Sequence, residues 1–574
     1  MRDHRRKADA GPPIVQGCPS TMGDDYQLNT TTLIRHAART HADQEILYRT
    51  PDGGWGRYTF GACYARICRT AGALRSLGVG PADRIGVLDW NSRRYFELYY
   101  AVPGLGAVLL QLNLRLSAEE LGYIVNHARA SYICVDESLL PLAEALAPHL
   151  RDLKGWIVMS DRPLCELRTT LTPALHHETL LALAQPVAQW PVIDERSAYA
   201  AAYTSGTTGR PKGVFYSHRS MYLHSMTLVS LLGMSIEDCT MLITPLYHAQ
   251  GWGLPQAATL MANKILLPGR YAMDDVAPLI DAMIAEQVTI ASGVPTLVQS
   301  MLQHIEALPR KPDLRRLRLL CGGSQPALAL MSALRALTGA ELVQAYGGTE
   351  TSPVVALNRL KPALAGHLSA EQRWAVRRSQ GLPAVGVDIK ILGPNGEELP
   401  HDGRSVGEIC LRGPWCATSY HDMPEAGDRF IDGYWRSGDA GSIDADGYLK
   451  LTDRLKDLIK SGGEWISSID MENAIASHPA VREAVVVGIA HPVWDERPLA
   501  LVVLDGARNA TQEELRAHLA ATFEKWQLPD AILFVGSIPK TSVGKLDKKR
   551  VRAEYAHLYA GAGRHPPGGS DGAG

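Results

Sequence analysis

An α/β fold is predicted for this chain on three observations. Short apolar runs alternate with amphipathic stretches of helical period through most of its length. After about Gly381 the runs come closer together, punctuated by Asn395-Gly396 and Asp446-Gly447 turns. From Leu458 a shorter module resumes the alternation.

In chain order, Arg84–Leu88 reads as a strand ahead of a helix about Ser92–Val102, and the helix Ala118–His127 leads into the strand Ala130–Val135. Val288–Ile290 precedes a helix at Pro295–Ile305, and Leu317–Cys321 precedes one at Pro326–Leu337. Strand and helix in strict succession make largely parallel sheets. Val387–Leu392, Gly407–Leu411 and Tyr448–Leu451 suggest hairpins of a small β-rich subdomain, and the charged run Asp453–Asp457 reads as a joint between domains. Beyond it, the helix Asp470–Ser477 precedes the strand Ala484–Gly488, and the helix Gln512–Phe523 precedes Ala531–Val535. Residues 1–25 and the Gly/Pro-rich 558–574 read as a disordered lead and tail.

Length and composition bound the function. A chain of 574 residues exceeds one hydrophobic core, so at least two domains are expected. Lys and Arg number 58 against 60 Asp and Glu, a net charge of -2, which gives no basic field for nucleic acid. The nine cysteines form no Cys-x-x-Cys pair and fit a reducing compartment, hence a cytoplasmic protein. His176 and His177 read as surface or loop residues. The charged N-terminus lacks the apolar stretch of a secretory signal. The longest apolar run, Tyr99–Leu112, is broken by Pro103, Gly104 and Gly106, so no integral membrane segment is expected, and membrane contact is at most peripheral.

The chemistry concentrates in five segments. Thr204-Ser205-Gly206-Thr207-Thr208-Gly209, followed by Lys212, is a loop whose N–H groups and hydroxyls suit phosphate oxygens, with one mobile cation. It is not a Walker loop: counting from Gly206, Pro211 stands where the second Gly is needed and Gly213 where the hydroxyl is needed. Gln344-Ala345-Tyr346-Gly347-Gly348-Thr349-Glu350 follows a strand, where α/β folds place ligands. Tyr346 offers a flat face, Thr349 a hydroxyl and Glu350 a hard oxygen for Mg²⁺, with Gly322-Gly323-Ser324 to wall the other side of a base. The remaining three are Trp435–Asp439, Lys456–Ser467 and Pro539–Arg550.

Together, and in this order, the five segments resemble those of the acyl-adenylate-forming enzymes, which include acyl-CoA synthetases, peptide-synthetase adenylation domains and luciferases. The resemblance spans roughly residues 25–555. It implies a large N-terminal domain of two parallel-type α/β sheet subdomains with the β-rich subdomain, residues 26–455, and a small mobile C-terminal α+β lid, 456–557. It implies ATP, Mg²⁺ and coenzyme A, with a small-molecule carboxylic acid as the other substrate. Thr204 and Glu350 are then placed at the metal, Tyr346 on adenine, Asp439 and Arg454 at the ribose, and Lys545 as the adenylating lysine. Lys548–Arg550 read as a solvated face. Lys456 is the domain hinge, Lys456, Lys460 and Trp465 approach the adenylate, and Gly462 and Gly463 leave room for pantetheine. For Trp465 an anchoring place in the small domain's core stays open.

Ser461–Ser467 and Pro245–Gly253 resemble the medium- and long-chain fatty-acyl branch. On that likeness His248 borders the carboxylate, Trp252 gates the acyl tunnel, and Ala249, Val294, Pro295 and Gly347 line the pocket. Gln250-Gly251 departs from the branch pattern. Aryl or alicyclic acids, a carrier-protein thiol as acceptor, luciferase-type oxidation and a non-catalytic relative share most of the signature. A homodimer is compatible with the branch.

Overall fold

The computed structural model describes residues 15–23, 25–204, 210–462, 464–506, 508–540 and 546–560. They divide into two compact units. The first is the chain up to Ile389 with Cys410–Ser437 and Gly447–Leu449; the second is Lys390–Ile409, Gly438–Asp446 and the chain from Lys450 on. The strands of the predicted β-rich stretch, Asp388–Leu392, Gly407–Arg412, Tyr434–Ile443 and Leu449–Arg454, are present, and the division runs through them.

Two sheets build the first unit. One has seven strands in the order Ala174–His176, Gly155–Met159, Tyr132–Asp136, Arg84–Leu88, Val108–Gln111, Ala198–Tyr203 and Gly213–Ser217. Only its last pair is antiparallel. The other has nine, and its central run of Glu341–Gly347, Arg318–Cys321, Ile290–Gly293, Cys239–Met241, Lys264–Leu267 and Glu45–Arg49 is parallel throughout. Ile85 and Leu109 of one sheet and Ile265 and Ile290 of the other share one buried cluster, completed by Tyr99 and Tyr100. Outer faces are covered separately, the nine-stranded sheet around Met283, Leu297 and Leu334 and the seven-stranded sheet around Leu121, Ile124 and Ala143.

Local chemistry explains the element ends. Ser117 and Glu120 form a reciprocal capping box at the start of Ala118–Ala128. Ser92 accepts from the Tyr95 N–H to open Arg93–Gly104. The apolar run Tyr99–Leu112 is the inner half of that helix and the strand Val108–Gln111, all four of whose residues are buried. Burial on both faces, and not a bilayer, makes it apolar; among the described residues no helix is long and apolar enough to cross a membrane. His177 corrects the sequence reading. It starts the helix His177–Leu183, is 2% exposed, and lies 3.4 Å from Glu178. Burial lowers its basicity, so it sits in the interior as a neutral ring.

The second unit is α+β. Ile459–Ser461, Asp495–Leu504 and Val481–His491 pair antiparallel, Ala531–Phe534 adds in parallel, and the helices Ser468–Ala476 and Gln512–Ala520 pack over one face around Ile475, Val486 and Leu515. Asp453, in the charged run, is 1% exposed, and its carboxylate accepts from the Ser468 N–H at 2.8 Å. One charged stretch differs from expectation here. Lys548 is not on a solvated face. Its side chain is 13% exposed, its ammonium lies 2.9 Å from Glu472, and it also bonds the Ser468 hydroxyl. Three consecutive cations look alike in sequence, but only Lys549 and Arg550 face water.

Candidate active site

The site of the first unit is built on strand ends. The register Gly293–Cys321–Gln344 across three parallel strands brings their C-terminal ends level. The segments leaving that edge are Val294-Pro295, Gly322–Ser324 and Ala345–Glu350, as an open parallel sheet dictates. Ala198–Tyr203 leads to the Gly/Ser/Thr-rich segment, and the chain is next in a strand at Gly213–Ser217. The neck of that segment is closed by Thr204 and Lys212: the Thr204 N–H donates to the Lys212 carbonyl at 3.0 Å, and the Lys212 N–H to the Thr204 hydroxyl at 3.2 Å. Ser205, Gly206, Thr207, Thr208 and Gly209, the loop itself, lie outside the described residues, as do Gly463, Lys545, residues 1–14 and 561–574.

Lys212 and Glu350 meet through Tyr420. The Lys212 ammonium stands 4.9 Å from the centre of the Tyr420 ring. The phenol donates to Glu350 Oε1 at 2.6 Å, and the Trp435 indole donates to the same phenol oxygen at 3.2 Å. Glu350 is 9% exposed, its carbonyl accepts the Ala417 N–H at 2.7 Å, and the Tyr216 hydroxyl donates to the Thr349 carbonyl at 2.8 Å. Tyr420 was missed in the sequence, where nothing in Thr418-Ser419-Tyr420-His421 marks it. Glu350 thus presents a held, hard carboxylate beside the neck of the loop.

Gly347 and Gly348 allow this turn. A Cβ on Gly347, whose φ is +153°, would lie 1.6 Å from the Pro353 carbonyl oxygen, and one on Gly348 would lie 3.3 Å from the Trp435 ring. The first glycine therefore serves the return of its own chain. Gln344 and Tyr346 are 3% and 9% exposed, and the Gln344 Oε1 is buried with no hydrogen-bond partner among the described residues.

Beside it lies the acyl-side candidate. The Trp252 ring covers Gly322, where a Cβ would be 3.1 Å from its Cη2 and 3.3 Å from the Ala345 carbonyl; Val294 stands 3.4 Å from the same point on Gly323. His248 precedes Trp252 and is half-buried. Ala249, Gln250, Gly251, Trp252 and Gly253 all have positive φ, at 44°, 63°, 55°, 59° and 76°. For a side chain bearing a Cβ each such residue costs on the order of 1–2 kcal/mol, so this turn is held from outside. At its end His224 takes up the space where Gly253 lacks a side chain, 2.5 Å from the Cβ position. The same imidazole accepts the Val354 N–H at 3.2 Å, tying the turn to the Glu350 segment.

The second unit carries the rest. Arg454 Nε lies 3.3 Å from Asp439 Oδ1, so the two predicted ribose residues are paired. Burial, with Arg454, Arg552 and Lys549 nearby, holds the Lys456 ammonium below its usual range against the pull of Asp457. Lys460 and Trp465 face each other across the hairpin Ile459–Ile466. Trp465 is half exposed and so is not a core anchor. Gly462, at φ +62°, donates its N–H to the Trp494 carbonyl at 2.9 Å under the Trp494 ring.

Residues 34–421 match the family described as AMP-binding enzyme, and residues 470–545 its C-terminal domain. The chain belongs to the AMP-binding enzyme family. It is 42% identical over 549 residues to the long-chain-fatty-acid–CoA ligase of Thermus thermophilus, covering 95% of this chain and 98% of the other. It is 37% identical to the 3-methylmercaptopropionyl-CoA ligase of Ruegeria lacuscaerulensis, covering 92% and 98%. Among solved structures, an anthranilate CoA ligase in complex with anthranoyl-AMP superposes with a TM-score of 0.81 at 25% identity, covering 93% and 99%. These AMP-binding relatives span the whole length of the fold, both units included.

Proposed function

We propose that this member of the AMP-binding family activates a medium- or long-chain fatty acid with ATP and passes it to coenzyme A. The chain is an acyl-CoA ligase of the acyl-adenylate-forming superfamily, an AMP-forming acid–thiol ligase. What supports the finer reading is a cation from the loop of the seven-stranded sheet brought through Tyr420 to a held carboxylate at the strand ends of the nine-stranded sheet, where an apolar wall also lies: Lys212, Glu350 and Trp252.

A carboxylate is a poor electrophile, since its leaving group would be oxide. Its oxygen attacks the α-phosphorus of ATP, the bond to pyrophosphate breaks, and the acid becomes a mixed anhydride with AMP. The thiolate of coenzyme A then attacks the acyl carbon and AMP leaves. In this reading Lys212, the loop N–H groups and Lys545 offset the charge that builds on the phosphoryl oxygens. Asp439 takes the ribose hydroxyls on the acceptor positions of its carboxylate, with Arg454 beside it at Oδ1. Lys456 is the pivot about which residues 456–557 turn between the two steps.

Mg²⁺ fits as an ion carried in on the ATP phosphates. Such a site needs one or two carboxylates and no full protein cage; Glu350, already oriented by Tyr420, supplies one, and Thr204 a hydroxyl. When bound it offsets phosphate charge. The nine cysteines, with no Cys-x-x-Cys pair, support a reducing, cytoplasmic setting; the homodimer rests on the branch likeness alone.

An aryl acid is the second reading, favoured by the flat Trp252 ring laid on Gly322. The test is AMP release over straight-chain, branched, alicyclic and aryl acids, with and without coenzyme A. Preference for the longer straight chains supports the fatty acid, and preference for benzoate-type acids replaces it.

A further inference from the structure

The left-handed turn at Ala249–Gly253 sits on a buried polar network that the reaction does not call for. Gln250 is 0% exposed, Gln111 2%, Tyr199 0% and Tyr99 1%. The backbone N–H of Gln250 (3.3 Å) and its side-chain Nε2 (3.0 Å) both donate to Gln111 Oε1. The Tyr199 hydroxyl donates to Gln250 Oε1 and takes a donor from Gln256 at 3.3 Å. Gln111 Nε2 in turn donates to the Tyr99 hydroxyl at 2.6 Å and the Leu246 carbonyl at 2.7 Å. Buried amides are costly unless bonded, and once bonded they admit one arrangement where an apolar core admits several.

Gln111 therefore reads the backbone of the turn directly. Two donors of one residue converge on a single oxygen, so Gln250 is fixed in both main chain and side chain. Trp252 follows two residues later on the same strained turn, and its ring meets the bare backbone of Gly322. A small rotation within the turn would lift that ring.

We propose that Gln111, Gln250 and Tyr199 are specificity-determining positioning residues: they latch the left-handed turn, fix the Trp252 ring over Gly322, and thereby set how long an acid the site accepts. This rests on the reading of Trp252 as a wall of the acyl side. None of the three is proposed to touch the substrate; they act through Trp252.

The test compares kcat/KM for straight-chain acids from hexanoate to palmitate, with the KM for ATP, in Trp252→Ala, Gln250→Met, Gln111→Met and Tyr199→Phe. Trp252→Ala is expected to move the long-to-short ratio toward long acids by about tenfold or more. Gln250→Met and Gln111→Met are expected to move it in the same direction by roughly threefold, with the KM for ATP held within about twofold. In the Trp252→Ala background Gln250→Met should add nothing. An unchanged ratio in Trp252→Ala overturns the acyl-wall reading and the latch with it. A shift in Trp252→Ala without one in any latch variant overturns the latch alone, as does a Gln250→Met shift that persists when Trp252 is absent. Tyr199→Phe removes a single oxygen, so it keeps the question open to refutation if either methionine variant fails to fold.

Discussion

Tyr420 donates its phenolic proton to Glu350 at 2.6 Å while its ring faces the Lys212 ammonium at 4.9 Å. One side chain thus orients the carboxylate and spaces it from the cation. Removing a group that orients a metal-side ligand typically costs about 10–100-fold. Tyr420→Phe is expected to raise the Mg²⁺ concentration needed for half-maximal rate by about tenfold and to leave the acid preference unchanged. A wild-type Mg²⁺ dependence would show that the phenol is packing only.

Stability should fall in acid through two buried histidines. Burial pushes the His224 imidazole down to about 3 and that of His218 down to about 4. The unfolded chain takes up these protons near pH 6.5 and the folded one does not, so the contribution is complete above about pH 6.5. It declines as pH falls from there, until about 4 for His218 and about 3 for His224. From pH 7 to pH 5 each costs about 2 kcal/mol. Denaturant unfolding at the two pH values should show the loss smaller by about 2 kcal/mol in His224→Gln, which keeps an acceptor for the Val354 N–H. An unaltered pH slope in that variant contradicts the assignment.

Lys548 is expected to be a structural cation. Deleting it leaves Glu472, whose side chain is 14% exposed, without its ammonium partner at 2.9 Å. Breaking a buried pair on one side costs about 3–5 kcal/mol. Lys548→Met should lower the melting temperature, and a second change, Glu472→Gln, should recover most of the loss. Equal melting of Lys548→Met and wild type would return this residue to the solvated face assigned from sequence.

What the sequence makes legible is local or covalent. The strand Arg84–Leu88 carries the bounds predicted for it, and the helix predicted from Ala118 begins there, because both are determined within a few residues. The Gly/Ser/Thr loop and its lysine were equally visible, since they lie within one short stretch of chain; the neck that Thr204 and Lys212 close was not read. Nor was Tyr420, because it reaches Glu350 across 70 residues of chain. The left-handed turn at Gln250 escaped for a related reason: Gly251 and Gly253 favour positive φ but Ala249, Gln250 and Trp252 do not, and Gln250 is bonded by Gln111 and Tyr199 on distant strands. Lys548 and His177 were misread because charge in a sequence does not say whether a partner waits for it.

The central claim is that the acid attacks ATP before coenzyme A takes part, with Lys545 serving that first step alone. The most direct measurement is acid-dependent exchange of labelled pyrophosphate into ATP without coenzyme A, set beside thioester formation from supplied acyl-AMP, in wild type and Lys545→Ala. Wild type should exchange only when acid is present, and Lys545→Ala should lose the exchange by about 10²–10³-fold while largely retaining thioester formation. Exchange that needs no acid, or equal loss of both steps in the variant, would contradict it.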